Sequence, residues 1–291
     1  MPIPMNATCM ECFLIKRLQT IRSSGTAEQA TEMAKEMLRM LGESPASADS
    51  ALLGALVDNR IKEFFGITED LMLSEKQQSN AFVLERIDSI RDRIKKANDP
   101  VFAALQYAVL GNYLDFAALA GKVSFEELDR MLEGATDMVL DMDCYKQFVK
   151  ELAEGKQLLY ITDNAGEIVF DRVFAEILKE KFPHLEITFL VRGGAIANDA
   201  TLEDAQTVGI PFPVIDSGYP IGGTSLGYLK QEARDALYSA DVVLAKGMGN
   251  TESLYGCGCN VYYAFLVKCV RFAEFFNAPM MKPFFVREKS V

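Results

Sequence analysis

The hydrophobic rhythm of the chain changes once, near residue 156, and that change constrains the fold more than any other feature. From about Asn6 to Glu154, apolar residues recur at three- and four-residue spacings, as in Phe13 to Leu18, Ala51 to Phe65 and Phe82 to Ile94, which is the pattern of amphipathic helices. Breaks at Ser23-Ser24-Gly25, Gly42 to Pro45 and Gly66 to Leu71 divide this half into roughly six helices forming a bundle or cap. Ser44-Pro45 and Asp99-Pro100 both have the order of an N-cap followed by a proline at the first helical position, so each predicts a helix start. After Lys156, short apolar runs of buried-strand type take over: Leu158 to Thr162, Ile187 to Val191, the PFPVID segment ending at Asp216, Asp241 to Ala245, and Val261 to Cys269. Helical segments over Glu167 to Lys181, from near Thr201, and over Leu226 to Tyr238 separate them. Such alternation demands crossover connections, and hence a mostly parallel sheet covered on both faces, with the boundary near residues 148 to 156. The two halves differ in period, which argues against an internal duplication.

The totals bound the kinds of partner. With 49% hydrophobic and 24% charged residues over 291 positions, the composition is that of a soluble globular chain. Forty-one acidic against thirty basic residues give a formal charge of −11, which repels nucleic acid unless a local basic patch overcomes it. The densest basic stretch, Arg91, Arg93, Lys95 and Lys96, is interleaved with Asp92 and follows Asp88, as on an ordinary solvated helix face. A metal and one lysine can still reverse the potential locally for a phosphorylated ligand. The opening MPIPMNATC lacks a basic segment followed by an apolar one, and no run approaches a membrane span, so no membrane partner and a cytoplasmic location are expected. Six cysteines are too few for a disulfide framework in a chain of this length.

In open parallel sheets, ligands bind outside the carboxyl ends of the strands, where loops converge beside helix N-termini. Directly after Leu158 to Thr162 comes Asp163-Asn164-Ala165-Gly166-Glu167, whose carboxylate and amide oxygens suit a hard divalent ion. The same residues fit a helix start, with Asn164 as cap and Glu167 completing an approximate capping box. A second loop runs from Arg192-Gly193-Gly194 to Asn198-Asp199-Ala200-Thr201; Asp199 suits either a second carboxylate ligand or an Asx cap. A third, Asp216-Ser217-Gly218 continuing to Gly227, offers backbone N–H groups and the Ser217 hydroxyl to a phosphate, or is an ordinary flexible loop; it lacks P-loop spacing. The fourth, Lys246-Gly247-Met248-Gly249-Asn250, places an ammonium at a strand end beside glycines that permit close approach, which suits phosphate neutralisation. A dinucleotide site ranks low, because the full glycine fingerprint does not follow the first strand.

Several motifs in one order carry more than any of them alone: Cys9-Met10-Glu11-Cys12, Gly111-Asn112-Tyr113-Leu114-Asp115, DNAGE at 163–167, NDAT at 198–201, DSG at 216–218 and KGMGNTESL at 246–254. On these, the chain resembles, over nearly its whole length, the DUF89 family of metal-dependent damage-control phosphatases, in the shorter microbial form with an N-terminal cysteine pair. The resemblance implies an α/β fold, a Rossmann-like three-layer α/β/α sandwich over 153–291 without dinucleotide chemistry, preceded by an all-helical domain over 1–152. It implies hydrolysis of small phosphorylated metabolites, such as sugar phosphates or damaged phosphometabolites, with a divalent ion among manganese, cobalt, nickel and magnesium. By similarity, Asp163, Asn164 and Asp199 ligate the metal and Lys246 meets the transferred phosphoryl group. Asn198, Ser217, Asn250, Glu167 and Asp115 then lie around the substrate.

Competing readings remain open at this level. A metal- and phosphometabolite-binding regulatory protein, or a phosphoryl or sugar-phosphate transferase, would use the same loops. Asp141-Met142-Asp143 has the DxD form of another phosphatase class, but ATDMVLDMDCYKQFVKEL reads as a helix continuing through it. Cys9 and Cys12, with Cys257 and Cys259, could make a second, structural metal site if the chain ends meet, or carry no cofactor. His184, the single histidine, lies beside Pro183 and reads as a surface turn residue, which disfavours a histidine-based dyad.

Overall fold

A parallel sheet buried on both faces needs apolar side chains of both parities along each strand, and the computed structural model, which describes residues 3–45, 48–115 and 123–288, has that arrangement. The first half is helical: α1 (Ala7–Ser23), α2 (Ala27–Glu43), α3 (Ser50–Phe65), α4 (Leu73–Leu84), α5 (Ile87–Lys96), α6 (Pro100–Gly111), α7 (Phe125–Glu133) and α8 (Met142–Glu154), with a 3-10 turn at Ala135–Asp137. The second half alternates: β1 (Gln157–Ile161), α9 (Glu167–Lys181), β2 (Glu186–Val191), α10 (Leu202–Val208), β3 (Val214–Asp216), α11 (Gln231–Ser239), β4 (Val242–Lys246), α12 (Gly247–Leu254), β5 (Val261–Leu266), α13 (Val270–Phe275) and β6 (Pro283–Arg287). The sheet order is β3-β2-β1-β4-β5-β6, with neighbours parallel except for the antiparallel edge strand β6. The expected α/β class and mostly parallel sheet are therefore present. The edge strand β6 was not anticipated.

Strand parity sorts the core. Leu158 and Tyr160 of β1, Val242 and Leu244 of β4, and Tyr262 and Ala264 of β5 share one buried cluster with α5, α6, α8 and α9. Leu159, Ile161, Val243, Ala245, Tyr263 and Phe265 pack on the opposite face with α11, α12 and α13. The first cluster draws on both sides of residue 152, because α6 lies directly against α9. Helices α1 to α3 have a smaller core of their own around Phe13, Ile21, Met33, Met37 and Val57.

Several local expectations are corrected. Among the described residues eight α-helices precede β1, where about six were expected. The Phe82 to Ile94 run is interrupted at Glu85 and Arg86, where Arg86 turns to bond Asp129 and the Phe82 carbonyl. Asp99-Pro100 starts α6 as expected, Asp99 accepting from the Phe102 N–H. Ser44-Pro45 starts nothing: Ser44 closes α2, and Asp49 caps α3. Asp141 is the N-cap of α8, accepting from the Asp143 and Cys144 N–H groups, so the DxD element is a helix start and not a helix interior. Of the apolar run that continues after Asn112, residues 116–122 lie outside the described part of the structure.

Candidate active site

The strand order reverses direction between β1 and β4, so the loops leaving them part and open a crevice at the carboxyl edge. Asp163 stands there. Its Oδ2 accepts from Asn112 Nδ2 at 3.0 Å and Asn164 Nδ2 at 2.8 Å. On the other side, Gly247 approaches so closely that a Cβ would lie 1.9 Å from Asp163 Oδ2, and its φ of +78° lies in the left-handed region; only glycine fits. Gly166, with the same φ, starts α9 without a side-chain cap, so Asn164 is not the helix cap its position allows. The Asn164 amide instead donates to Asp163 and to Glu167 Oε2 at 2.8 Å, which leaves its oxygen for another partner.

The second loop meets the first directly. Asn164 and Asp199 form an isolated antiparallel bridge, Ala165 N–H donates to the Asn198 carbonyl at 2.8 Å, and Ala200 N–H donates to the Asp163 carbonyl at 2.7 Å. Capping of α10 falls to Thr201 and Asp204, which frees Asp199 from that duty. Arg192, fully buried, donates from Nε to Asp199 Oδ2 at 2.7 Å, and its NH2 stands 3.6 Å from Asp163 Oδ1. One guanidinium thus reaches both carboxylates. Asn198 donates to the Leu114 carbonyl at 2.8 Å, while its Oδ1 is buried without a hydrogen-bond partner.

The electrostatics follow from crowding. Burial pushes Asp163 well above the usual carboxylate range, and the charges of Asp199, Glu167 and Asp115 push the same way against Lys268. Burial also raises Asp199, with Arg192 opposing. A divalent cation between the two would reverse that sense. The donor set fits such an ion: two carboxylates and an amide oxygen, with an unpaired buried carbonyl oxygen on Asn198, are hard ligands of the kind magnesium and manganese take.

Lys246 is placed differently from the expectation that it meets a phosphoryl group. It is the last residue of β4 and shares parity with Val242 and Leu244, so its side chain enters the helix layer. There its Nζ, with no exposed surface, donates to Glu167 Oε1 and Asp171 Oδ1 at 2.7 Å each and to the Ala108 carbonyl at 2.8 Å. Burial alone would lower this lysine, but Asp171 and Glu167 outweigh it and hold it charged. Burial lifts Asp171 to about 7, with Lys246 opposing. Glu167 in turn holds Asn112 and Asn164, so the lysine supports the ligand loop from behind.

Asn250 is likewise committed inside, donating to the Thr162 and Lys246 carbonyls and accepting from Arg192 and Thr224. Ser217 accepts from the Gly193 N–H and donates to the Tyr219 carbonyl, bracing one loop against the next. Asp115 pairs with Lys268, and its charge acts on Asp163 and Asp199.

Lys268 is the residue that the sequence reading passed over. β5 ends at Leu266, two residues before it, and Lys268 donates to the Asn112 carbonyl and to Asp115 Oδ2 at 2.6 Å each. Asn112 joins these groups: its Nδ2 serves Asp163 and Glu167, and its Oδ1 accepts from the Leu266 N–H at 3.0 Å. A lysine closing the otherwise apolar VYYAFLV run was the available signal.

The four-cysteine site that the sequence left open is not assembled among the described residues. Cys257 and Cys259 adjoin each other, while the charged neighbours of Cys9 are Glu252, Arg271 and Cys12. Burial pushes Cys259 up to about 12 and Cys269 up to about 11, away from the thiolate form. Among the described residues, no three His, Cys, Asp or Glu side chains are grouped to hold a metal ion. The candidate site accordingly depends on its amide ligand. No helix among the described residues is long and apolar enough to cross a membrane.

A damage-control phosphatase from Pyrococcus horikoshii is 29% identical over 277 residues, covering 94% of this chain and 93% of its own length. One from Archaeoglobus fulgidus is 32% identical over 223 residues, covering 75% and 76%. The crystal structure of a DUF89 family protein from Pyrococcus horikoshii superposes with a TM-score of 0.84 at 26% identity, over 99% of this chain and 100% of that one. The profile of the damage-control phosphatase ARMT1-like domain matches residues 5–282, and the chain belongs to that family, DUF89.

Proposed function

We propose that this chain is a divalent-metal-dependent phosphatase of small phosphorylated metabolites, such as sugar phosphates or damaged phosphometabolites. The observation that carries the reading is the convergence of Asp163 and Asp199, from the loops after β1 and β2, on the one buried Arg192 guanidinium, with Asn164 bridged to Asp199 and bonded to Asp163. Asp163, Asn164 and Asp199 would hold the ion, with manganese, cobalt, nickel or magnesium as candidates. When bound, such an ion supplies Lewis acidity toward a phosphoryl oxygen and toward water.

The chain's own residues do the rest. Asn112 and Glu167 hold the Asp163-Asn164 pair in place. Lys268, whose Nζ pairs with Asp115 and whose charge acts on Asp163, is the candidate for the phosphate-neutralising role first given to Lys246, which is committed to Glu167 and Asp171. Asp115 keeps the Lys268 ammonium oriented. Relatives named damage-control phosphatases, together with this donor set, support hydrolysis over transfer or mere binding. The test is phosphate release from a panel of sugar phosphates and other phosphometabolites with Mn, Co, Ni and Mg in turn. Activity that depends on one of these ions and disappears in Asp163→Ala and Asp199→Ala is expected. Metal-independent release, or a phosphorylated acceptor in place of free phosphate, would defeat the reading.

A further inference from the structure

The helical half touches both ligand loops through one turn of α4. Asn80, 2% exposed, uses both ends of its amide: Oδ1 accepts from the Gly166 N–H at 2.6 Å, and Nδ2 donates to Asp204 Oδ1 at 2.9 Å. Gly166 closes the Asp163-Asn164 loop. Asp204 accepts through Oδ2 from the Thr201 N–H and hydroxyl at 2.9 Å each, in the capping box that opens α10 directly after Asp199-Ala200. Lys76, one turn earlier on α4 and 4% exposed, donates to the same Asp204 Oδ2 at 2.9 Å. The packing behind this amide is tight, since a Cβ on Gly166 would lie 2.8 Å from Ser79 Cβ.

A single buried amide therefore has one end on each loop that carries a proposed ligand. Its bond to the Asp204 carboxylate is charge-assisted, and the Gly166 N–H would be left unsatisfied without it, so both contacts resist displacement. The backbone bonds between the loops fix them at Asp163 and Asn198, on the ligand side. Asn80 and Lys76 fix them on the side facing the helices. Together the two sets leave the separation of Asp163 from Asp199 little freedom.

We propose that Asn80, backed by Lys76, is a positioning residue that sets the spacing of the metal ligands and thereby the affinity of the site for its ion. The inference rests on the reading of Asp163, Asn164 and Asp199 as ligands. Asn80 is assigned no contact with substrate, so its loss acts on metal affinity while KM for the phosphorylated substrate at saturating metal stays unchanged.

The experiment is titration of Mn2+ into the chelator-stripped full-length protein, read by the electron paramagnetic resonance of the free ion, with circular dichroism confirming the fold. Asn80→Ala is expected to bind Mn2+ about 10- to 100-fold more weakly, as for loss of an outer-shell partner. Gln78→Ala, whose side chain is exposed on the same helix and bonds only Ser74, is the unaffected control. A folded Asn80→Ala protein with affinity within about twofold of the parent, well short of that range, overturns the proposal. If Asn80→Ala fails to fold, Lys76→Gln decides, because of the two ligand loops it bears only on the Asp204 side, its other partner being Asp70 just before α4; weaker binding supports the proposal and unchanged binding overturns it. Asp199→Ala separates the two levels. If it loses Mn2+ while Asn80→Ala does not, the positioning role alone fails; if it binds Mn2+ as the parent does, the ligand assignment fails and takes the positioning role with it.

Discussion

Lys246 gives all three of its N–H donors to Glu167, Asp171 and the Ala108 carbonyl. Lys246→Met would leave two buried carboxylates facing each other with no cation, a loss of about 3–5 kcal/mol by the usual cost of breaking a buried pair. The expected outcome is a large drop in the urea midpoint, and Asp171→Asn in the same chain should recover part of it. Lys268→Ala tests the opposite assignment. Its Nζ pairs with Asp115 and its charge acts on Asp163, so kcat/KM should fall by roughly 10²–10³ while Mn2+ affinity is retained, as for removal of an electrostatic donor. Steady-state kinetics beside metal titration separate the two lysines. Both lysines were visible at strand ends, but what each of them met depended on where each strand stopped. A buried-strand pattern leaves that point uncertain by a residue or two, and one residue turns the side chain to the other face.

At the scale of elements, α12 carries the loop after β4 toward α3. Ser50, at the start of α3, donates to the Glu252 carboxylate, and the Glu252 carbonyl accepts from the Ile3 N–H at 2.9 Å. Burial raises Glu252 from 4.5 to about 7; the Ser50 bond opposes this, the Asp49 charge adds to it, and Arg271 opposes it. With the folded value above the unfolded one, the contribution to stability is full below about pH 4.5 and is lost as the pH rises through about 7. Glu252→Gln should therefore flatten the fall in stability over that window and raise stability at pH 8, by up to the order of 3 kcal/mol, in denaturant melts at several pH values. The caps show what local sequence can settle. Asp99-Pro100 leads straight into an apolar helical run and starts α6, whereas Ser44-Pro45 has the same order but follows α2 immediately, and Ser44 bonds back to the Leu41 carbonyl. The dipeptide is ambiguous until the neighbouring helix has a defined end.

For the whole molecule, an ion that binds the folded site and not the unfolded chain stabilises the fold by mass action. Saturation at a hundred times Kd corresponds to about 2.7 kcal/mol, so Mn2+ should raise Tm measurably and EDTA should reverse the rise. Asp199→Ala should melt at the same temperature with and without Mn2+. A metal-independent Tm in the parent chain would count against the site. The sequence by itself determined the parallel sheet, its alternation with helices, and the polar loops at its carboxyl edge, because strand period, helix period and turn chemistry are properties of short stretches. Asp163 and Asn164 stand out for the same reason, lying just beyond an apolar run, while Asp199 stands out only within the longer polar loop after β2. Only the tertiary structure brought Asn112 to Asp163 across 51 positions and Asn80 to Gly166 across 86, and only it set Lys246 on Glu167 and Asp171 and Lys268 on Asp115. Those contacts join elements whose own patterns say nothing of each other, and they come into being when α4 and α6 pack against the sheet.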